Sequence, residues 1–289
     1  MKHDTNFPQA QLFGLVDAAA CPGKIFALLE RSGERFQSVY AGLPEDEAGL
    51  ASLFVVRVSD EKADWVEELN QIDLHTPCLS LLWSRVDLDP LVTHLQAFLF
   101  ADIGDDMTAM VRYFDPRNIG AVLGAWGKQV SGMFMAPMEQ WLYRGRHPDW
   151  QRIRNDSRDD ARICRSIVIR LNQSEVDALT AHTEPDELLA TLIENGVVDR
   201  ERPYVERFSD FIPRYRQAVQ WQISEPADRL LFCHYTYLYG ETFDKHILIN
   251  DLLMQGKRTG ESFRRLVSRV PAGAWTQIEH ARKYQLALS

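Results

Sequence analysis

The chain has 289 residues, 45% apolar and 25% charged, the proportions of a globular protein with room for one large domain or two ordinary ones. No segment approaches the roughly 18 unbroken apolar residues of a membrane span, and the polar start Met1-Lys2-His3-Asp4 gains no signal-like apolar core before Pro8, so a cytoplasmic protein with no membrane partner is expected. The net charge of −9 is uneven: residues 1–150 hold 12 Lys and Arg against 21 Asp and Glu, whereas residues 151–289 hold 20 of each, which argues against a general nucleic-acid binder.

Leu12-Phe13-Gly14-Leu15-Val16 is a short apolar run closed by Cys21-Pro22-Gly23, with a helical stripe of Ile25, Leu28 and Leu29 behind it. Residues 36–40 and 53–58 read as strands, Trp65, Val66 and Leu69 as a brief amphipathic helix, and residues 78–83 as a buried strand. Asp89-Pro90 then opens a helix whose apolar positions Leu91, Leu95, Phe98 and Leu99 fall at i, i+4, i+7 and i+8. The device repeats. Residues 107–114 read as a strand that turns directly into a helix, with Asp115 as its carboxylate cap and Pro116 at its first position. Ile119, Val122, Leu123 and Trp126 form the stripe of that helix, and residues 138–143 add a strand. Two strand-then-Asp-Pro-helix units in succession predict an α/β lobe, a central sheet with packed helices, over residues 1–145.

Residues 146–162 are polar and read as a linker. Beyond them, Ile167, Ile169 and Leu171 alternate on one face, and everything later is helical in period. Ser174 to Asp177 resembles a capping box with Asp in place of the usual Glu. Leu188, Leu189, Leu192 and Ile193 continue that helix, and Asn195-Gly196 stops it. Further stripes are Phe208, Phe211, Ile212 and Tyr215, then Leu230, Leu231, His234, Tyr237 and Leu238 before Gly240. Residues 247–254, and Phe263, Leu266, Val267 and Val270, complete a mainly α-helical C-terminal lobe over residues 163–289.

The chemistry-bearing residues are sparse. Cys21, Cys78, Cys164 and Cys233 lie far apart with no paired spacing, as buried free thiols do. Gly256-Lys257-Arg258-Thr259 only faintly echoes a phosphate loop, because Asp251 stands where the first glycine belongs and would repel phosphate. Asp102, Asp105 and Asp106 around Gly104 could offer oxygen ligands, but Gly and Asp equally favour a polar turn. No cofactor or metal is expected.

His234, Tyr237, Asp244 and His246 are the densest acid–base set, and two readings stand: packed core residues, or a hydrolytic site. Arg112, Asp115 and Arg117 could form a charged catalytic cluster, but a corner between sheet and helix also needs a cap and charge neutralisation, which favours a structural role. In the tail, Lys257, Arg258, Arg264, Arg265, Arg269, Arg282 and Lys283 face only Glu261 and Glu279. That surface is either a solvated helix face or a docking patch for an acidic partner, with Arg264, Arg265 and Arg269 as its candidate contacts.

Several phrases together resemble the bacterial type VI secretion adaptors, a family of effector chaperones. Residues 12–18 resemble the family's opening, Thr76-Pro77-Cys78-Leu79-Ser80-Leu81 one of its strands, and Trp83-Ser84 with residues 91–96 its Leu-His helix. Arg112-Tyr113-Phe114-Asp115-Pro116-Arg117 matches its signature, and Pro137-Met138-Glu139-Gln140-Trp141 its closing phrase, with Leu238 to Asp244 similar to a phrase common beyond it. Cys78 departs from the family, standing where an aromatic is usual. The resemblance implies a non-enzymatic adaptor that binds a cognate effector in the cytoplasm and promotes its loading onto the VgrG spike. It carries over no catalytic residue; Arg112, Asp115, Pro116, Arg117 and Trp141 belong to a structural signature.

Overall fold

The computed structural model describes residues 10–155 and 162–288. The chain divides into two compact units, Met1–His182 with Pro203–Val205, and Thr183–Arg202 with Glu206–Ser289. The first carries the α/β lobe and the second is helical, as the alternation of periods predicts.

The first unit contains β1 (Gln11–Asp17), α1 (Pro22–Ser32), β2 (Phe36–Ser38), β3 (Leu53–Arg57), α2 (Asp64–His75) and β4 (Leu79–Ser84). It continues with α3 (Leu88–Gln96), β5 (Phe100–Asp102), β6 (Thr108–Met110), α4 (Ile119–Met135), β7 (Met138–Tyr143) and β8 (Gln151–Arg154). Six strands form one antiparallel sheet in the order β2-β3-β1-β4-β7-β8, and β5 pairs with β6 apart from it.

Both faces of the sheet are covered, which is why β1 and β4 read as nearly unbroken apolar runs rather than alternating ones. Leu12 and Val16 of β1 point into a core with Ile25, Leu28 and Leu29 of α1 and Trp65 and Leu69 of α2. Phe13 and Leu15 point the other way, into a core with Leu91 and Leu95 of α3 and Ile119, Val122 and Trp126 of α4.

Three local expectations are corrected. The strand expected over 107–114 ends at Met110, because Val111 and Tyr113 close a tight turn, Tyr113 N–H donating to the Val111 carbonyl at 2.9 Å. That turn drives Tyr113 into an aromatic cluster with Phe134 at 5.0 Å, Trp126 at 6.0 Å and Trp141 at 6.4 Å between ring centres. The alternation of Ile167, Ile169 and Leu171 yields one parallel bridge, Asp102 to Arg170, although Ile169 and Leu171 are buried as expected. Within the polar stretch, residues 151–154 pair with β7 as the edge strand β8, and residues 156–161 lie outside the described residues.

The remaining helices are α5 (Gln173–Glu194), α6 (Tyr204–Gln220), α7 (Pro226–Tyr239), α8 (Ile247–Thr259), α9 (Phe263–Val267) and α10 (Ala272–Leu288). The capping box of α5 is built two residues earlier than Ser174. The Asn172 side chain accepts from the Glu175 N–H at 3.1 Å, and the Glu175 carboxylate accepts from the Asn172 N–H at 2.8 Å. Asn caps as well as Ser, and here it has the usual Glu three residues on. Gly196, at φ +70°, ends the helix as expected.

In the second unit the core lies between α7, α8 and α9. Phe232 packs on Phe243 at 5.0 Å and on Phe263 at 5.3 Å, with Ile249, Leu253 and Val267 around them. The buried face of α7 is Asp228, Phe232, Cys233 and Thr236. It is rotated from the expected face, so that His234 and Tyr237 are half-buried and Leu238 is exposed.

Candidate functional site

The signature turn follows β6 and precedes α4. Asp115 does not cap the helix, which starts at Ile119 after Asn118. Its carboxylate is used inside the turn instead. Oδ1 accepts from the Arg117 backbone N–H at 2.9 Å and from Arg117 Nε at 2.8 Å, while Oδ2 accepts from Arg117 Nη2 at 2.7 Å. A proline at 116 fixes φ and removes an N–H, so the first free donor is Arg117, within reach of the Asp115 side chain.

Asp115 is buried at 3% exposure, and its environment is charged on both sides. Burial pushes its carboxyl pKa up, but the Arg117 guanidinium and its hydrogen bonds outweigh that and hold it below the ordinary value. Asp17, at the end of β1, sits close by. Arg112 Nη2 lies 3.4 Å from Asp17 Oδ2 and 3.8 Å from Asp115 Oδ2, with its guanidinium over the Phe114 ring at 5.6 Å. At Asp17 burial dominates and raises the carboxyl pKa despite Arg112. Two buried carboxylates and two guanidiniums thus neutralise one another, leaving Arg112 as the half-exposed member. The arrangement holds a turn in place; it brings no nucleophile and base together.

Residues distant in sequence complete this corner. Gly145, just past β7, has φ +56°, and a Cβ there would stand 2.5 Å from the Pro116 carbonyl oxygen. The signature turn therefore rests directly on bare backbone. His182 of α5 donates from Nε2 to the Arg117 carbonyl at 2.9 Å, Arg146 donates to the His182 carbonyl at 2.5 Å, and Arg117 lies over the Tyr204 ring at 5.6 Å. Trp141 is fully buried between Tyr113 and Phe134. Gly145 has a sequence signal, a glycine just past a strand; Asp17 and His182 have none.

Two members of the acid–base set have partners outside it. Tyr237 donates its hydroxyl to Asp210 Oδ2 at 2.8 Å with Arg214 over its ring at 4.3 Å, and Asp244 accepts from Trp221 Nε1 at 2.8 Å. Among the described residues no hydrogen bond joins His234, Tyr237, Asp244 and His246 to one another. The acidic run 102–106 is a turn closed by Gly104 N–H to Asp102 Oδ1 at 2.9 Å and Met107 N–H to the Gly104 carbonyl at 2.9 Å. Among the described residues no group of three or more His, Cys, Asp and Glu is arranged to hold a metal.

Of the basic tail residues, Lys257 and Arg258 fall on α8, Arg264 and Arg265 on α9, and Arg269 in the turn after α9. Lys257, Arg258, Arg264, Arg265 and Arg269 are exposed, and Arg269 is engaged by Glu261. No carboxylate lies within ion-pair distance of the other four among the described residues. The side chains of Arg282 and Lys283 lie outside the described residues.

Residues 12–131, from β1 into α4, match the family model described as "Domain of unknown function (DUF4123)". The matched span contains the signature turn and excludes β7, Gly145 and the helical unit. No curated protein and no solved structure matches the chain.

Proposed function

We propose that the protein is a type VI secretion adaptor that binds a cognate effector in the bacterial cytoplasm and promotes its loading onto the VgrG spike. The observation that carries this reading is the match of residues 12–131 to a family met among effector chaperones of that system. The opening phrase, the Pro77 strand, the Leu-His helix and the signature turn all fall inside the matched span, in the family's order. The geometry supports the reading by giving the signature a holding role, so that work is left to surfaces. No helix of the described residues is long and apolar enough to cross a membrane, which is compatible with a cytoplasmic site of action.

The test is co-expression of the tagged protein with the products of its neighbouring genes. An effector and a spike protein are expected to co-purify with it, and capture of neither would refute the reading. Reversing Arg264, Arg265 and Arg269 to Glu is expected to lower effector recovery; unchanged recovery would remove those residues from the contact.

A further inference from the structure

The α8 helix buries one face and leaves the other exposed. Ile249, Leu253 and Gly256 face inward, and Gly256 is where α9 comes closest. A Cβ at Gly256 would overlap the Leu266 side chain, so the glycine lets Leu266 of α9 pack directly on the α8 backbone. The outward stripe is Ile247, Asp251, Met254 and Arg258, spaced at i, i+4, i+7 and i+11, with Leu248 beside it. Ile247 is 71% exposed, Met254 48% and Leu248 43%, an unusual concentration of large apolar side chains on one helix of this protein. The stripe runs into positive charge. Arg258 ends the stripe in the last turn of α8, and Arg264 and Arg265 are exposed on α9 just beyond the Gly260-Glu261-Ser262 connection, where Glu261 pairs with Arg269 instead.

We propose that this face docks an amphipathic helix of a partner protein whose apolar stripe is preceded by a cluster of Asp and Glu. Apolar contact with Ile247, Leu248 and Met254 supplies the burial, and the arginines at the far end read the acidic cluster and fix direction. An antiparallel partner helix brings its first turn to Arg258, and the first turn is where acidic residues are favoured by the helix dipole. A lipid surface is the weaker fit, because Asp251 stands inside the apolar stripe and would be carried into the headgroup layer with it. The proposal deepens the adaptor reading and rests on it for the identity of the partner as an effector.

The experiment uses the full chain and a synthetic helical peptide with a leucine stripe preceded by four glutamates, followed by fluorescence anisotropy. Binding is expected to weaken with salt, and to weaken about tenfold or more in Ile247→Asp/Met254→Asp and in Arg258→Glu/Arg264→Glu/Arg265→Glu. The single variant Met254→Asp at its exposed site serves if a multiple variant fails to fold. Absence of peptide binding, or equal binding by wild type and variants, would overturn the proposal. So would binding of phosphatidylserine vesicles instead of the peptide, or a self-association in light scattering that the same variants abolish. The two readings fail separately. Effector capture undiminished by the variants overturns this docking face and leaves the adaptor reading standing. If the wild type captures no effector, the adaptor reading fails and the peptide measurement still decides the face.

Discussion

Asp115 stays ionised in the interior chiefly because Arg117, two residues on, wraps it with three hydrogen bonds. Removing one partner of a buried pair leaves the other charge uncompensated, which costs far more than the pair itself contributes. Arg117→Ala is therefore expected to destabilise the protein by about 3 kcal/mol, read as a lower urea midpoint. His94 is the second case. It is fully buried in α3, donating from Nε2 to the Phe134 carbonyl at 2.8 Å and accepting the Cys164 N–H at Nδ1 at 2.9 Å. Burial lowers its pKa from 6.5 to about 4. The unfolded chain thus takes up the proton first, so the stability tied to neutral His94 is complete above pH 6.5 and declines as pH falls toward 4. The decline amounts to about 3 kcal/mol. Urea midpoints measured across that range should fall for the wild type and fall less for His94→Gln. A charged trio two to five residues apart was legible in the sequence. The part played by Asp17 and His182 was not, because they reach the same corner from other elements.

At the scale of elements, stripes of period 3.6 located the helices well and oriented them less well. Ile25, Leu28 and Leu29 are the buried residues of α1, as their spacing predicts. The buried face of α7 is displaced because Phe232 finds Phe243 and Phe263, contacts that no periodicity within the helix contains. Asp-Pro opens α3 within a residue or two, yet at 115–116 the same dipeptide makes a turn. The difference is Arg117, whose guanidinium and N–H both take the carboxylate that would have capped the helix. The turn also needs the backbone of Gly145 beneath it. Gly145→Ala would place Cβ against the Pro116 carbonyl in a left-handed conformation, and is expected to cost about 2 kcal/mol in thermal unfolding. Loss of near-ultraviolet dichroism from Tyr113 and Trp141 should accompany it if the turn gives way. Unchanged melting would show that the turn can move aside.

At the scale of the whole molecule, the first unit is completed by chain well past residue 145. Strand β8 seals the edge of β7, Cys164 holds His94, and Ile169 and Leu171 fill the core beneath α3 and α4. A fragment ending at residue 145 is therefore expected to unfold at lower urea than one ending at residue 182, and equal midpoints would refute this. The sequence by itself determined most of the strands and helices, the α/β and helical halves, the acidic bias of the first and the charged residues of the signature, because periodicity and charge are local properties. Only the tertiary structure decided that the sheet is antiparallel and covered on both faces, that the signature is a held turn rather than a helix cap, and that α8 keeps an apolar face in solvent. Each of those depends on which distant side chains meet, and a contact between residues far apart in the chain leaves no period in the sequence to read.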